Sequence, residues 1–189
     1  FNEGLETLGP SAVVGCENLE TITFPTTLTS IDITAVAECA KLKIVEFKGE
    51  SLELVREDLF SDFILFTYFF EDEEHGVFEY RLANELVIKV PNDKYIAYYE
   101  IFFEASAEYS DRIDDSGIAK VTYKFDSKGG NDVAAVTAVV LTNLEKPVKK
   151  DSFFWGWYLQ DGTQEGVEWT NLVQVPYYYA EGNEVTLYA

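Results

Sequence analysis

The chain of 189 residues carries 34 acidic and 14 basic residues, which gives a formal net charge of −20. This charge disfavours partners that need a basic surface, so we predict no nucleic-acid partner and no anionic lipid partner. Hydrophobic residues make up 47% of the chain and can form a core, but no stretch is long enough to span a bilayer, and we predict no membrane insertion.

A 23-residue repeat opens the chain and includes both cysteines, Cys16 and Cys39. A period in the twenties is typical of a solenoid, since one copy is too small to bury its own apolar face. Solenoids more often bind a partner than catalyse a reaction. The apolar or small pairs that recur at this spacing are Leu5 and Leu28, Leu8 and Ile31, Ala12 and Ala35, Val13 and Val36, Leu19 and Leu42, Ile22 and Val45, and Phe24 and Phe47.

Each copy contains one segment with the alternation of a strand. In residues 21–24 threonines alternate with apolar side chains, and Pro25 ends the segment because proline cannot donate to a β-ladder. Residues between the apolar positions are expected to line the exposed face of a sheet. The candidate binding residues on that face are Thr21, Thr23, Glu46 and Lys48.

Two further features follow from the repeat. Equivalent cysteines of neighbouring copies are expected about 5 Å apart, either as a stacked reduced pair or as a disulfide.

A third, weaker copy is predicted to have one inserted residue. It places Leu52, Val55, Leu59 and Phe60 at the positions of Leu5, Leu8, Ala12 and Val13.

Residues 63–82 break the period and predict a β-hairpin or an irregular extra coil. Their aromatic run, residues 64–70, is expected to be packed, because an exposed run of this kind promotes aggregation. The alternative is an exposed aromatic contact surface.

Residues 86–91 then predict a last strand that ends at Pro91. Asn92 or Asp93 is expected to cap a helix that covers the open end of the solenoid. The apolar residues predicted on this helix are Tyr95, Ile96, Tyr99, Phe102 and Phe103.

Polar, turn-prone residues 109–117 predict a boundary between two domains, 1–112 and 113–189. Alternating runs follow at residues 119–125, 133–141, 153–158 and 184–188, with a Gly-Gly-Asn turn at 129–131 between the first two. We therefore predict a small, mostly β second domain and an overall α+β, mostly β fold class.

The first domain resembles the BspA-type leucine-rich repeat of bacterial surface proteins. The departures are Val13 and Val36 where phenylalanine is usual, and Asp32 where glycine is usual. Val90-Pro91 followed by Tyr98 resembles the helix that often closes such arrays. The matching residues are Leu8, Gly9, Ala12, Cys16, Leu19, Ile22, Phe24 and Pro25, with Val13 as an apolar residue at the phenylalanine position.

The second domain carries a series of motif residues in a fixed order. They are Phe125, Gly129, Gly130, Pro147, Phe154, Gly156, Trp157, Tyr158, Trp169, Leu187, Tyr188 and Ala189. This series resembles the internalin B-repeat, a β-grasp-like module of bacterial surface proteins, although Asp151-Ser152 departs from the Gly-Tyr that the family tends to carry. The resemblance implies an extracellular or cell-surface location, and it implies no particular ligand.

Aromatic residues are the main functional candidates of the second domain. In a strand over 153–158, Trp155 and Trp157 would share one face, and Trp155 occupies a variable position of the B-repeat motif. Tyr177 and Tyr178 add a second cluster. Flat aromatic surfaces suit sugar or protein ligands. Plain core and rim packing is the alternative reading.

Catalytic and metal sites are not indicated. His75 lies in an acidic turn, and we read it as a solvated loop residue rather than part of a weak cation site. Asp111, Asp114 and Asp115 lack the spacing of a calcium loop and are read as a hinge. We predict no cofactor, no metal site and no enzymatic activity.

The combined prediction is a non-catalytic piece of a longer bacterial surface or secreted protein. It would mediate adhesion by binding an extracellular protein or a glycan. The alternative is a structural spacer in which both modules only display a distal domain.

Overall fold

The computed structural model describes residues 1–56, 65–72, 74–83 and 85–189. These residues are mostly β with few helices, and they form two compact units, Phe1–Gly117 and Ile118–Ala189. Each unit has its own sheets and its own buried residues.

Equivalent segments of successive repeats pair in parallel in the first unit. Thr7 pairs with Ser30, and Thr21 pairs with Ile44, so the pairing register equals the 23-residue repeat of the sequence. The described residues of this unit form three sheets. They are β1-β4-β7 (Thr7–Leu8, Ser30–Asp32, Glu53–Val55), β2-β5-β8-β9 (Val13–Val14, Val36–Ala37, Thr67–Asp72, Val77–Leu82) and β3-β6-β10 (Thr21–Phe24, Ile44–Phe47, Val87–Lys89).

The third copy keeps the 23-residue register into β7, so the prediction of an inserted residue there is wrong. Leu54 pairs with Ile31 and takes the position that we assigned to Val55. The backbone N–H of Glu53 donates to the carbonyl of Thr29 at 2.8 Å, which holds this register. The predicted positions Leu59 and Phe60 lie outside the described residues.

A column of aromatic rings runs through the first unit beside its buried aliphatic residues. The ring centroids of Phe1 and Phe24 are 5.6 Å apart, and those of Phe24 and Phe47 are 4.8 Å apart. Tyr98 and Phe102 pack on Phe47 at 5.5 and 6.0 Å. Because side chains one repeat apart point the same way in parallel strands, the repeated phenylalanine becomes a continuous stack.

Tyr98 and Phe102 belong to a helix that follows the last strand. A short 3-10 turn, Asn92–Lys94, precedes α1 (Tyr95–Ala105), and α2 (Ala107–Ser110) follows it. Neither Asn92 nor Asp93 caps α1, so that prediction is wrong: Lys94 occupies the N-cap without a side-chain hydrogen bond. The helix is held by burial of its aromatic face and by a 3.2 Å bond from the Tyr98 hydroxyl to the Gly49 carbonyl.

A β-hairpin and an irregular coil were the two alternatives for residues 63–82, and the structure has the hairpin, in which β8 and β9 pair antiparallel. The aromatic run is divided between two environments. Phe66 is buried, whereas Phe69 is exposed and makes an edge contact with Tyr80 at 5.5 Å. Ile64, the first residue of the predicted run, lies outside the described residues.

The first unit ends at Gly117, beyond the boundary that we drew after residue 112. Ile113 forms a parallel bridge with Ile88 on β10. The backbone N–H of Ile88 donates to Arg112, and that of Asp114 donates to Ile88, both at 2.8 Å. These bonds hold residues 112–114 on the edge of the third sheet.

The second unit contains a three-stranded sheet with β11 (Val121–Asp126) at its centre. β12 (Val136–Ala138) pairs with it antiparallel, after the predicted Gly-Gly turn, and β13 (Glu184–Tyr188) pairs with it parallel. The core consists of Val121, Tyr123, Leu141, Trp157, Val173 and Leu187. Residues 153–157 form no strand, and only Tyr158 makes single bridges, so the predicted strand over 153–158 is wrong.

Candidate functional site

The four candidate residues of the repeats lie on the outward face of β3 and β6 or just after it. Thr21 and Lys48 are exposed, and Thr23 and Glu46 are half-buried. The hydroxyl of Thr23 donates to Oε2 of Glu46 at 3.1 Å, from one repeat to the next. The predicted alternation of this face is therefore present, and two of its polar groups bond to each other.

Other polar side chains of this unit also bond across one repeat. The Thr26 hydroxyl donates to Glu3 at 2.7 Å, and the Lys41 ammonium donates to Asn18 at 2.8 Å. The hydrogen bond from Thr26 lowers the pKa of Glu3 below its usual value. A shallow groove of about 260 Å³ lies beside Lys48. Several polar groups of this unit are thus bonded to the neighbouring repeat, whereas Thr21 and Lys48 stay exposed.

Both cysteines are free thiols. Cys16 is exposed, whereas Cys39 is buried and donates to the Ala37 carbonyl at 3.4 Å. Burial raises the pKa of the Cys39 thiol above its usual value. This is the reduced arrangement, and the disulfide alternative is not formed.

The predicted loop and hinge residues have local partners. Nδ1 of His75 lies 2.9 Å from Oδ2 of Asp72, and Asp114 accepts from the backbone N–H of Ser116 at 3.0 Å. Hydrogen bonds from Ser116 lower the pKa of Asp114. Within residues 1–56, 65–72, 74–83 and 85–189, no three His, Cys, Asp or Glu side chains are grouped as metal ligands.

Gly156 separates the two tryptophans that we predicted to share a face. Its φ of +148° is readily adopted only by glycine, and an added Cβ would clash with Leu172. This backbone turns Trp155 outward, 85% exposed, and Trp157 inward, 1% exposed. The indole N–H of Trp157 donates to the Glu145 carbonyl at 2.9 Å. Trp157 is therefore a core residue, and the shared-face prediction is wrong.

Trp155 lines a groove of about 590 Å³ in the second unit, which we call the aromatic groove. Phe153, also on its lining, is 90% exposed. The remaining aromatic lining residues are Phe154, Tyr158 and Trp169, and the polar ones are Ser127, Lys128, Lys149 and Ser152. Five aromatic side chains and two lysines thus surround one concave surface.

Trp169 is the best-supported wall of the aromatic groove. Its ring lies against Gly162, where any Cβ would clash with the indole, and its centroid is 5.2 Å from that of Tyr158. The side chain is 39% exposed. A large ring that is held on one side and open on the other gives a ligand a preorganised surface.

The predicted tyrosine cluster does not line the aromatic groove. Tyr177 is half-buried and makes an edge contact with Tyr123 at 6.2 Å, and burial raises its pKa. Tyr178 is exposed and outside the groove. Trp155 is therefore the one predicted binding residue of the second unit that reaches the groove.

Lys128 holds one edge of the aromatic groove in an ion-pair network. Its ammonium lies 2.6 Å from Oδ2 of Asp161, 2.9 Å from Oδ2 of Asp126, and 4.8 Å from the ring centroid of Tyr188. The Thr163 hydroxyl also donates to Asp161, at 2.6 Å. These bonds hold the pKa values of Asp161 and Asp126 below their usual range and raise the pKa of Lys128.

The second unit is expected to lose stability when acid protonates this network. A carboxyl whose folded pKa is lowered stabilises the fold above its unfolded pKa of about 3.9, and that contribution disappears as the pH falls through the folded pKa. Asp161→Asn should therefore flatten the decline in melting temperature below about pH 4. Circular dichroism melts at pH 7, 4 and 2.5 measure this, with the exposed Asp151→Asn as control. Equal pH dependence in wild type and Asp161→Asn would contradict it.

The charge of the chain is divided unequally between the two units. Residues 1–117 contain 25 acidic and 8 basic residues, a net charge of −17, whereas residues 118–189 contain 9 and 6, a net charge of −3. Repulsion of an anionic ligand therefore arises mainly from the first unit, and salt screens it over about 8 Å at physiological ionic strength.

Sequence reasoning did not select Trp169, Lys149 or Phe153 as site residues. Lys149 and Phe153 come to the groove from one irregular segment, and Trp169 comes from another. The available signal was the density of aromatic residues and lysines in 146–169. This segment has no strand or helix periodicity from which to predict which side chains share a surface.

Comparison with known proteins gives one family match. The family model of the BspA type leucine rich repeat region (6 copies) matches residues 1–83. This supports the leucine-rich-repeat part of the prediction and leaves the internalin B-repeat resemblance without support. No curated protein and no solved structure matches the chain. In the described part of the chain, no helix is both long enough and apolar enough to cross a membrane.

Proposed function

We propose that this chain is a non-catalytic bacterial surface or secreted protein that mediates adhesion by holding a partner in the aromatic groove. A leucine-rich-repeat solenoid would precede a β-grasp-like B-repeat module. The family match over residues 1–83 and the parallel 23-residue register favour the repeat part. The extracellular location rests on the same family match.

The observation that carries the proposal is the exposure of Trp155 and Phe153, which both line the aromatic groove. Large exposed apolar patches are uncommon on soluble domains and mark interaction sites. Tryptophan and tyrosine also dominate binding energy where they fill or line pockets. Here the exposed side chains of Trp155 and Trp169, from two different segments, line the same groove.

Trp155→Ala is expected to abolish partner binding without a change in stability. The test is a screen of the chain against a glycan array, mucins and extracellular-matrix proteins, with wild type and Trp155→Ala side by side. Removal of a hot-spot tryptophan weakens binding by about 2 kcal/mol or more, which is roughly 30-fold in Kd.

Tyr178→Ala is the matched control for this screen, because it removes an exposed aromatic ring outside the groove. It should bind as wild type does. Binding that survives in Trp155→Ala would move the site to the outward sheet face of Thr21, Thr23, Glu46 and Lys48.

The second candidate function is a structural spacer, and the cross-repeat hydrogen bonds of the first unit favour it. Thr23 with Glu46, and Lys41 with Asn18, satisfy each other rather than a ligand. If no glycan and no protein binds wild type, both modules would act as a stalk for a distal domain.

A further inference from the structure

We infer that the ligand of the aromatic groove is an acidic oligosaccharide, one whose sugar rings carry a carboxylate or a sulfate. This inference rests on the proposed binding role of the groove and adds the chemical class of its occupant. Three observations carry it: the aromatic walls, the hydrogen-bonding character of the polar lining, and the position of the Lys149 ammonium, which has no carboxylate partner among the described residues.

The aromatic walls suit the shape of a sugar ring. One face of a pyranose consists of C–H groups, and such a face packs on an indole or phenol ring while the hydroxyls at its edge stay hydrated. Trp169 is held against Gly162 and also lines the groove. Trp155 is exposed at the same groove and adds a second indole to its walls.

The described polar lining of the groove carries donors and no acidic side chain, with Lys128, Lys149, Ser127 and Ser152 on its wall. Lys128 is already paired with Asp126 and Asp161, and the Ser152 hydroxyl donates to the Lys150 carbonyl at 3.4 Å, so Lys149 is the charged donor left for a ligand. A complementary ligand must be rich in acceptors, as the hydroxyl, carboxylate and sulfate oxygens of acidic sugars are.

Lys149 supplies a positive charge that the chain itself does not neutralise. Its ammonium donates to the Lys128 carbonyl at 2.7 Å, which positions it at the groove. Among the described residues, no carboxylate lies within ion-pair distance of it, whereas Lys128 has two. An ammonium held by a neutral carbonyl retains donors for an anion.

The same lysine argues against other occupants. A quaternary ammonium ligand would need an aromatic cage without a neighbouring cation. A proline-rich peptide could use the aromatic walls but would leave the Lys149 charge unused. The net charge of −3 on residues 118–189 leaves this unit far less repulsive to an anion than the first unit, at −17.

Titration with matched neutral and acidic sugars tests the inference. Lactose is compared with 3′-sulfolactose, and N-acetyllactosamine with its 3′-sialylated form, by calorimetry on the whole chain. We expect wild type to bind each acidic sugar on the order of tenfold more tightly than its neutral partner. Lys149→Gln should remove that preference and keep the neutral affinity, whereas Trp155→Ala should weaken both members of each pair.

Lys150→Gln is the matched control, since Lys150 is an exposed neighbour that does not line the groove. It should keep the preference for acidic sugars. Equal affinity for neutral and acidic sugars, or a preference that persists in Lys149→Gln, overturns the inference. If a protein binds in a Trp155-dependent way and no sugar binds, the groove keeps its role and the inference about its ligand fails. If neither binds, both fail.

Discussion

Phe47→Ala is expected to destabilise the first unit by about 3–5 kcal/mol, the usual cost of truncating a buried phenylalanine. Phe47 is the ring where the repeat column meets the closing helix, and it contacts Phe24, Phe66, Tyr98 and Phe102. The cavity would separate the phenylalanine stack from α1, so both lose packing. The melting temperature of this unit should fall by roughly 10 °C or more, measured by circular dichroism.

Lys48→Ala is the control for this prediction, because Lys48 is the exposed neighbour of Phe47. A surface change of this kind usually stays within about 0.5 kcal/mol. If Phe47→Ala melted within about 2 °C of Lys48→Ala, the aromatic column would not be the main support of the unit.

Trp157→Ala is expected to unfold the second unit at room temperature. Trp157 is the largest of six buried core residues, and its loss would cost about 3–5 kcal/mol and leave the Glu145 carbonyl without its donor. A domain of about 70 residues has a total stability of similar size. Urea unfolding followed by backbone amide NMR signals of residues 118–189 measures this.

Trp155→Ala, two positions away, should change the stability of the second unit by less than about 0.5 kcal/mol. The backbone at Gly156 leaves the indole of Trp155 exposed and places the indole of Trp157 in the core. Similar urea midpoints for Trp155→Ala and Trp157→Ala would show that the two side chains are not divided in this way.

Much of the first unit could be predicted from the repeat, because residues one period apart in the sequence pair with each other in neighbouring strands. Thr21–Phe24 and Ile44–Phe47 were predictable as strands with Ile22 and Val45 inward, and they pair at the repeat spacing. The reasoning failed where the pattern weakened. A one-residue shift put Val55 in place of Leu54, and Asn92 and Asp93 looked like caps although burial holds the helix.

The site was less predictable than the fold. Trp155 was identified from its motif, but strand alternation predicted that Trp157 shares its face. Gly156, with its positive φ, instead directs the two side chains to opposite environments. Alternation predicts a face only in a regular strand, and residues 153–157 are irregular. Trp169 and Lys149 reach the groove by loop geometry, which leaves no periodic signal.

The sequence by itself determined the 23-residue repeat, the equivalence of Phe24 and Phe47 and the overall acidity, because each depends on spacing or composition alone. Only the tertiary structure decided which aromatic rings are core and which line the aromatic groove. That division depends on the backbone angle at Gly156, on the packing of Trp169 against Gly162, and on the carboxylates that neutralise Lys128 but not Lys149. Contacts between segments far apart in the chain make these choices, and local sequence patterns do not encode them.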